Sequence, residues 1–198
     1  MQRYGITDEP LVKESLTSGA DIVSFSGDKL LGGPQCGIVV GSKTYVDAMK
    51  NNPLYRALRA DKMTIAALEA TLRVYADFNT AERGIPILAM LSLTDEALRS
   101  RAEKLYSDIQ QRGGEAEVVT AKSVAGGGAV PGLELKSYAV APISKESADE
   151  LQKQLRNQQI PIIGHIENNQ LLLDVRTLFL EDYEYIANKI IEIQKNST

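Results

Sequence analysis

Apolar residues along this chain recur at two periods, and each period predicts a different element. Over 62–78, Ile65, Leu68, Leu72 and Tyr75 fall at spacings of three and four, the pattern of one buried helical stripe. The same spacing predicts helices over 95–111 (Leu98, Ala102, Leu105, Ile109), 145–157 (Ala148, Leu151, Leu155) and 181–193 (Tyr183, Ile186, Ile190, Ile193). Short apolar runs over 21–26 and 36–41 predict strands instead, the second a buried run of Ile38, Val39 and Val40. Further strands are expected over 115–120 and 133–139, on either side of a glycine-rich loop at 125–132. Residues 161–167 and 170–175 read as a hairpin, because Asn168-Asn169 tolerates the positive φ that tight turns need.

Punctuating residues organise these elements. Gly19 closes a short helix over 11–19. Asn51 or Asn52 caps a helix with Pro53 in its first turn. That helix is short or kinked, because Asp61 is a second N-cap soon after it. Gly84-Ile85-Pro86 breaks the pattern and predicts a boundary, with one domain over 1–84 and another over 85–198. The second reads as a compact α+β module, helices packed on a small antiparallel sheet. The first is α/β in character, but two strands and two or three helices are too few for a self-sufficient domain. The amino-terminal part of a larger sheet is therefore expected upstream of this chain.

Composition narrows the class. At 198 residues the chain is long enough to bury a real core. Hydrophobic residues at 43% and charged residues at 24% are near globular averages. No apolar run nears the roughly 20 residues of a membrane span. The segment Met1-Gln2-Arg3-Tyr4-Gly5 lacks the apolar region of a signal peptide. Cys36 is the single cysteine and forms no internal disulfide, which fits a reducing cytoplasm. A net charge of −4 argues against a chain that is basic all round, yet leaves room for a local basic patch.

Candidate chemistry concentrates in two places. The first is Phe25-Ser26-Gly27-Asp28-Lys29-Leu30-Leu31-Gly32-Gly33-Pro34-Gln35, a lysine among small residues between two strands. A lysine amine has an ordinary pKa of about 10.4 and is protonated at neutral pH. An apolar setting would free it for imine formation, and the released amine could then act as a general base. Ser26 and the backbone at Gly32-Gly33 are candidate donors to a cofactor phosphate. The plain alternative is a surface lysine in a glycine-rich turn. The second place is Arg56-Ala57-Leu58-Arg59-Ala60-Asp61-Lys62. Arg56 and Arg59, three apart on a helical turn, project on one face near a helix N-terminus and suit a tetrahedral anion. Residues 43–73 hold six basic side chains against three acidic ones, which strengthens that patch. Its alternative is a solvated basic face with Asp61 pairing an arginine.

Other signals carry less. Gly41-Ser42-Lys43-Thr44 fails as a P-loop, since lysine does not follow the glycine. Gly126-Gly127-Gly128 lacks dinucleotide-binding spacing and reads as a hairpin loop. His165, the only histidine, sits in a predicted strand and reads as structural, and Cys36 reads as a small core residue. One histidine and one cysteine exclude a zinc constellation.

The blocks Ser24-Phe25-Ser26-Gly27-Asp28-Lys29-Leu30-Leu31-Gly32-Gly33-Pro34-Gln35 and Arg56-Ala57-Leu58-Arg59-Ala60-Asp61-Lys62-Met63-Thr64 closely resemble the bacterial selenocysteine synthases. These are L-seryl-tRNA(Sec) selenium transferases, fold-type-I enzymes that use pyridoxal phosphate. The resemblance continues through Ala66-Ala67-Leu68-Glu69-Ala70-Thr71-Leu72, Pro161-Ile162-Ile163-Gly164 and Leu173-Asp174-Val175-Arg176, along essentially the whole chain. It implies the end of a cofactor-binding large domain followed by a small α+β domain. It implies that Lys29 holds pyridoxal phosphate as a Schiff base. Asp28 is implied beside it, assisting proton transfer or departure of the seryl hydroxyl, with Ser26, Gly32 and Gly33 at the cofactor. Arg56 and Arg59 are implied to hold the phosphate of selenophosphate. The implied reaction removes the α-proton and water from serine esterified to tRNA, then adds selenium at the β-carbon. A cytoplasmic homo-oligomer, a ring of dimers, is implied as well.

Two departures bear on this resemblance. Family members carry a tRNA-binding region and the first part of the cofactor domain before this point. The latter includes an Asp-Leu-Gly-Ser-Gly segment whose aspartate pairs with the pyridine nitrogen. This chain is thus expected to be a carboxy-terminal fragment, inactive alone and a poor cofactor binder. His165 stands where some relatives have arginine, a tolerated variation. Two other readings compete. One is a different fold-type-I lyase or aminotransferase acting on free amino acids, which the arginine pair opposes. The other is a non-catalytic assembly module.

Overall fold

The structure, a computed structural model, describes residues 4–6, 10–125 and 134–196, and the chain divides into two compact units between Ser92 and Leu93. Each is mixed α/β with one small antiparallel sheet.

The first unit holds α1 (Val12–Thr17), β1 (Ile22–Ser26), β2 (Gly37–Gly41), α2 (Lys43–Asn51), α3 (Pro53–Leu58), α4 (Lys62–Val74), α5 (Phe78–Gly84) and α6 (Pro86–Leu91). Gly19 follows α1 with φ +106°, a conformation that favours glycine. β1 and β2 pair antiparallel from Ile22↔Gly41 to Ser26↔Gly37. The Asn52 side chain caps α3 by accepting from Leu54 N at 3.0 Å, and Pro53 behind it has no N–H to satisfy. Asp61 caps α4, accepting from Met63 N at 2.7 Å and Thr64 N at 3.0 Å. Gly84-Ile85-Pro86, expected as a boundary, lies inside this unit. Pro86 opens α6, and Ile85 and Leu88 pack with Ala81 in a small core edged by Tyr4, Val74, Tyr75 and Ile87.

Two burial expectations fail in this unit. The α4 stripe is not buried, with Ile65 56% and Leu72 48% exposed. Nor is Val39, which is 40% exposed, because β2 alternates exposed and half-buried positions. The reason is shared. A two-stranded sheet with no buried residue gives neither element a surface to pack against.

The second unit holds α7 (Asp95–Gln111), β3 (Ala116–Val124), β4 (Glu134–Pro142), α8 (Ala148–Arg156), β5 (His165–Glu167), β6 (Gln170–Asp174), a 3-10 turn (Leu180–Asp182) and α9 (Tyr183–Asn196). The antiparallel sheet has the order β3-β4-β6-β5. Asn168 and Asn169 turn the β5–β6 hairpin with φ of 50° and 61°, as expected. The core joins Leu98, Ala102, Leu105 and Ile109 of α7, Leu151 and Leu155 of α8, and Tyr183, Ile186, Ile190 and Ile193 of α9 to Val140, Leu171 and Leu173 of the sheet. The predicted inward faces of these three helices are therefore the observed ones, although Ala148 is only half-buried. β3 and β4 run longer than predicted, and the predicted glycine-rich loop lies outside the described residues apart from Ala125. Residues 161–164 precede β5 and are not strand.

One polar network is buried in this sheet. The Asp174 carboxylate accepts from Ser123 Oγ, from Ser137 Oγ at 2.6 Å and from Arg176 N at 3.0 Å. The Arg176 guanidinium donates to Ser123 Oγ at 3.2 Å and to the Lys136 carbonyl at 2.5 Å. Burial pushes that guanidinium's pKa down, and the charge of Asp174 opposes the shift.

Candidate active site

Lys29 stands in the loop between β1 and β2. The loop holds its shape through its own backbone. Gly27 N donates to Cys36 O at 2.8 Å, Gly32 N to Lys29 O at 2.9 Å and Gly33 N to Gly27 O at 2.8 Å. Two glycines are required sterically. A Cβ on Gly27 would lie 2.6 Å from Cys36 Sγ and 2.7 Å from the Pro34 carbonyl oxygen. Gly32 has φ +70°, and its Cβ would lie 2.5 Å from Ile85 Cγ2.

The loop brings three of the predicted side chains together. Lys29 Nζ lies 2.9 Å from Asp28 Oδ2, and Ser26 Oγ donates to Asp28 Oδ1. The Ser26 hydroxyl, and next the Lys29 ammonium, hold the Asp28 pKa below the usual carboxylate value. The Lys29 side chain is 45% exposed and that of Asp28 24%. Among the described residues the lysine is thus not enclosed by apolar side chains, and its nearest partner is a carboxylate. Both line an open depression with Phe25, Gln35 and Cys36. Cys36 is half-buried at the approach to β2 rather than in a core.

Donors expected for a phosphate are otherwise engaged. The Gly32 and Gly33 N–H groups bond within the loop, and the single proton of Ser26 goes to Asp28.

Arg56 and Arg59 sit elsewhere in the unit. Arg56 is in the last turn of α3, while Arg59 is its C-cap with extended backbone, φ −64° and ψ 142°. The pair therefore straddles a helix end instead of sharing one helical turn. Both are exposed, and among the described residues neither guanidinium forms an ion pair or hydrogen bond. Asp61 does not pair with either. Its carboxylate takes Met63 N, Thr64 N and Thr64 Oγ1, and the Thr64 N–H leads the lowering of its pKa. No hydrogen bond or ion pair among the described residues joins the arginines to the Lys29 loop.

Sequence reasoning missed one site residue. Tyr75, read only as part of the α4 stripe, donates its hydroxyl to the Leu31 carbonyl at 2.9 Å and supports the loop from behind. The available signal was a tyrosine closing an apolar stripe, because a part-buried phenol needs a partner. His165 is exposed in β5, and no group of histidine, cysteine and carboxylate side chains among the described residues could hold a metal ion. No helix among them is long and apolar enough to cross a membrane.

A lysine and a carboxylate are thus held as neighbours in a glycine-shaped turn. The family model of L-seryl-tRNA selenium transferase matches residues 1–179. The chain is 46% identical over 196 residues to an L-seryl-tRNA(Sec) selenium transferase of Alkaliphilus oremlandii, covering 98% of this chain and 42% of that protein. It is 44% identical over 194 residues to one from Maridesulfovibrio salexigens, covering 96% and 42%. One from Clostridium botulinum strain Hall is 42% identical over 196 residues, with 98% and 42% covered. The chain belongs to the L-seryl-tRNA selenium transferase family. It spans about two fifths of the length of the curated relatives it matches.

Proposed function

We propose that this chain is the catalytic-lysine-bearing part of a pyridoxal-phosphate-dependent selenium transferase. The whole protein would convert seryl-tRNA(Sec) to selenocysteinyl-tRNA(Sec) with selenophosphate as donor, as a homo-oligomer. In that reading the first unit, to Ser92, ends the cofactor-binding large domain and the second, from Leu93, forms the small domain. The observation that carries it is the amine of Lys29, accessible yet held 2.9 Å from Asp28 Oδ2.

The residues present fit the aldehyde end of pyridoxal phosphate, since Lys29 offers an accessible primary amine at an open depression. Lys29 is the residue that would hold it, with Gly32 and Gly33 shaping the loop beneath. When bound, pyridoxal phosphate supplies the electron sink for α-proton loss. The chain's own groups handle the protons. A freed Lys29 Nζ is the base, and Asp28 Oδ2 stabilises the ammonium it becomes. Asp28 is the group placed to pass a proton onward to a departing hydroxyl. Arg56 and Arg59 would bind the donor's phosphate through forked guanidinium contacts.

Borohydride trapping tests this reading. The full-length protein that carries this segment is incubated with pyridoxal phosphate, reduced, and mapped by mass spectrometry. The label is expected on Lys29 ahead of exposed lysines such as Lys43 and Lys62, and to be lost in Lys29→Ala. Even labelling of all exposed lysines would overturn it.

A further inference from the structure

We propose that Ser26 is a positioning residue for the Asp28–Lys29 pair, fixing the orientation of the carboxylate. The inference rests on reading Lys29 as the reactive amine. Ser26 ends β1, where its register with Gly37 pins its backbone. Its hydroxyl carries one proton, and that proton goes to Asp28 Oδ1. The next residue, Gly27, is buried and has no room for a side chain. The backbone that carries the Ser26 hydroxyl is thus fixed beside Asp28.

The consequence lies in how the two carboxylate oxygens divide. Oδ1 faces Ser26, and Oδ2 faces Lys29 Nζ at 2.9 Å. Turning the carboxylate breaks both bonds together, so the serine sets the direction from which Asp28 meets the amine. Without the serine, a part-exposed carboxylate loses one of its two side-chain partners, and the other, the lysine, is lost whenever the amine is engaged elsewhere. Ser26 would then hold Asp28 in place while Lys29 is occupied. The lowered Asp28 pKa, led by the serine hydroxyl, agrees with this division.

Two measurements on the full chain test the proposal. The first is a carboxyl-carbon NMR titration of Asp28. Ser26→Ala is expected to raise the midpoint, and Ser26→Thr, which keeps the hydroxyl, to leave it low. An unchanged midpoint in Ser26→Ala would overturn the proposal. The second is borohydride trapping with pyridoxal phosphate in the full-length protein that carries this segment, as Ser26→Ala, Asp28→Asn and the double variant. Ser26→Ala is expected to lower the Lys29 share of label, relative to Lys43 and Lys62, by roughly threefold or more. The double variant should be no worse than Asp28→Asn, because the serine acts through the aspartate. Additive losses would also overturn it. If the unaltered chain labels no lysine selectively, the proposed function fails instead. The titration, which uses no cofactor, still decides the role of Ser26.

Discussion

The hydroxyl of Tyr75 donates to the carbonyl oxygen of Leu31 at 2.9 Å and ties the end of α4 to the loop that carries Lys29. Burial pushes the Tyr75 pKa up, so the phenol stays a donor across the physiological range. Tyr75→Phe keeps the ring and removes the donor. We expect a loss of about 1 kcal/mol in urea unfolding. Faster hydrogen exchange at the Gly32 and Gly33 amides should accompany it, since these close the loop from within.

Gly32 and Gly113 separate two costs of adding a side chain. Both have positive φ, +70° and +82°, but only Gly32 faces another atom, Ile85 Cγ2, at 2.5 Å from its ideal Cβ. Gly113→Ala should cost about 1 kcal/mol from backbone conformation alone. Gly32→Ala should cost roughly 2–4 kcal/mol, because crowding adds to it. Equal losses in chemical denaturation would show that Ile85 yields without cost.

Tyr183 is 1% exposed, and its hydroxyl is the one buried side-chain polar atom without a hydrogen-bond partner among the described residues. Burial lifts its pKa to about 12. A buried unpaired hydroxyl costs about 1–3 kcal/mol. Tyr183→Phe should therefore be neutral or stabilising by about 1 kcal/mol, read as a thermal midpoint that does not fall.

Acid stability follows from four carboxylates whose pKa values lie below normal. The main causes are the Ser26 hydroxyl at Asp28, the Thr64 N–H at Asp61, the Thr80 hydroxyl at Asp77 and Lys136 at Asp95. A carboxylate with a depressed folded pKa stabilises the fold above its unfolded value of about 3.9, and that contribution is lost as pH falls through the folded value. Stability should thus be insensitive to these groups at pH 5–7 and decline below about pH 4. Asp61→Asn retains a capping oxygen but does not titrate. It should flatten the acid limb of a urea-midpoint curve without removing α4.

Helices with a full complement of partners were legible from spacing alone. Leu98, Ala102, Leu105 and Ile109 predict α7 and its inward face because a four-stranded sheet is there to receive them. Ile65, Leu68 and Leu72 show the same periodicity, yet α4 buries none of its residues. Periodicity reports that a face is apolar, whereas burial depends on what lies opposite. Strand ends were hidden where polar residues pair. Lys122 opposite Lys136 and Ser123 opposite Leu135 carry β3 past its predicted end at 120. At the site, Lys29 and its glycines were visible as a composition anomaly. The partner of Ser26 and the support from Tyr75 were not, because side-chain direction and a contact 44 residues away are not encoded in local spacing.

The buried network around Asp174 has a mechanical consequence. β4 and β6 share only two paired positions, Ala139↔Asp174 and Val140↔Leu173, in the middle of the sheet. Ser123, Ser137 and Arg176 converge beside that short seam and bind β3, β4 and β6 to one carboxylate. A seam fastened at a single knot does not fray from its ends. It holds until the knot gives way, and then β6 parts from the nine-position ladder that keeps β3 and β4 together.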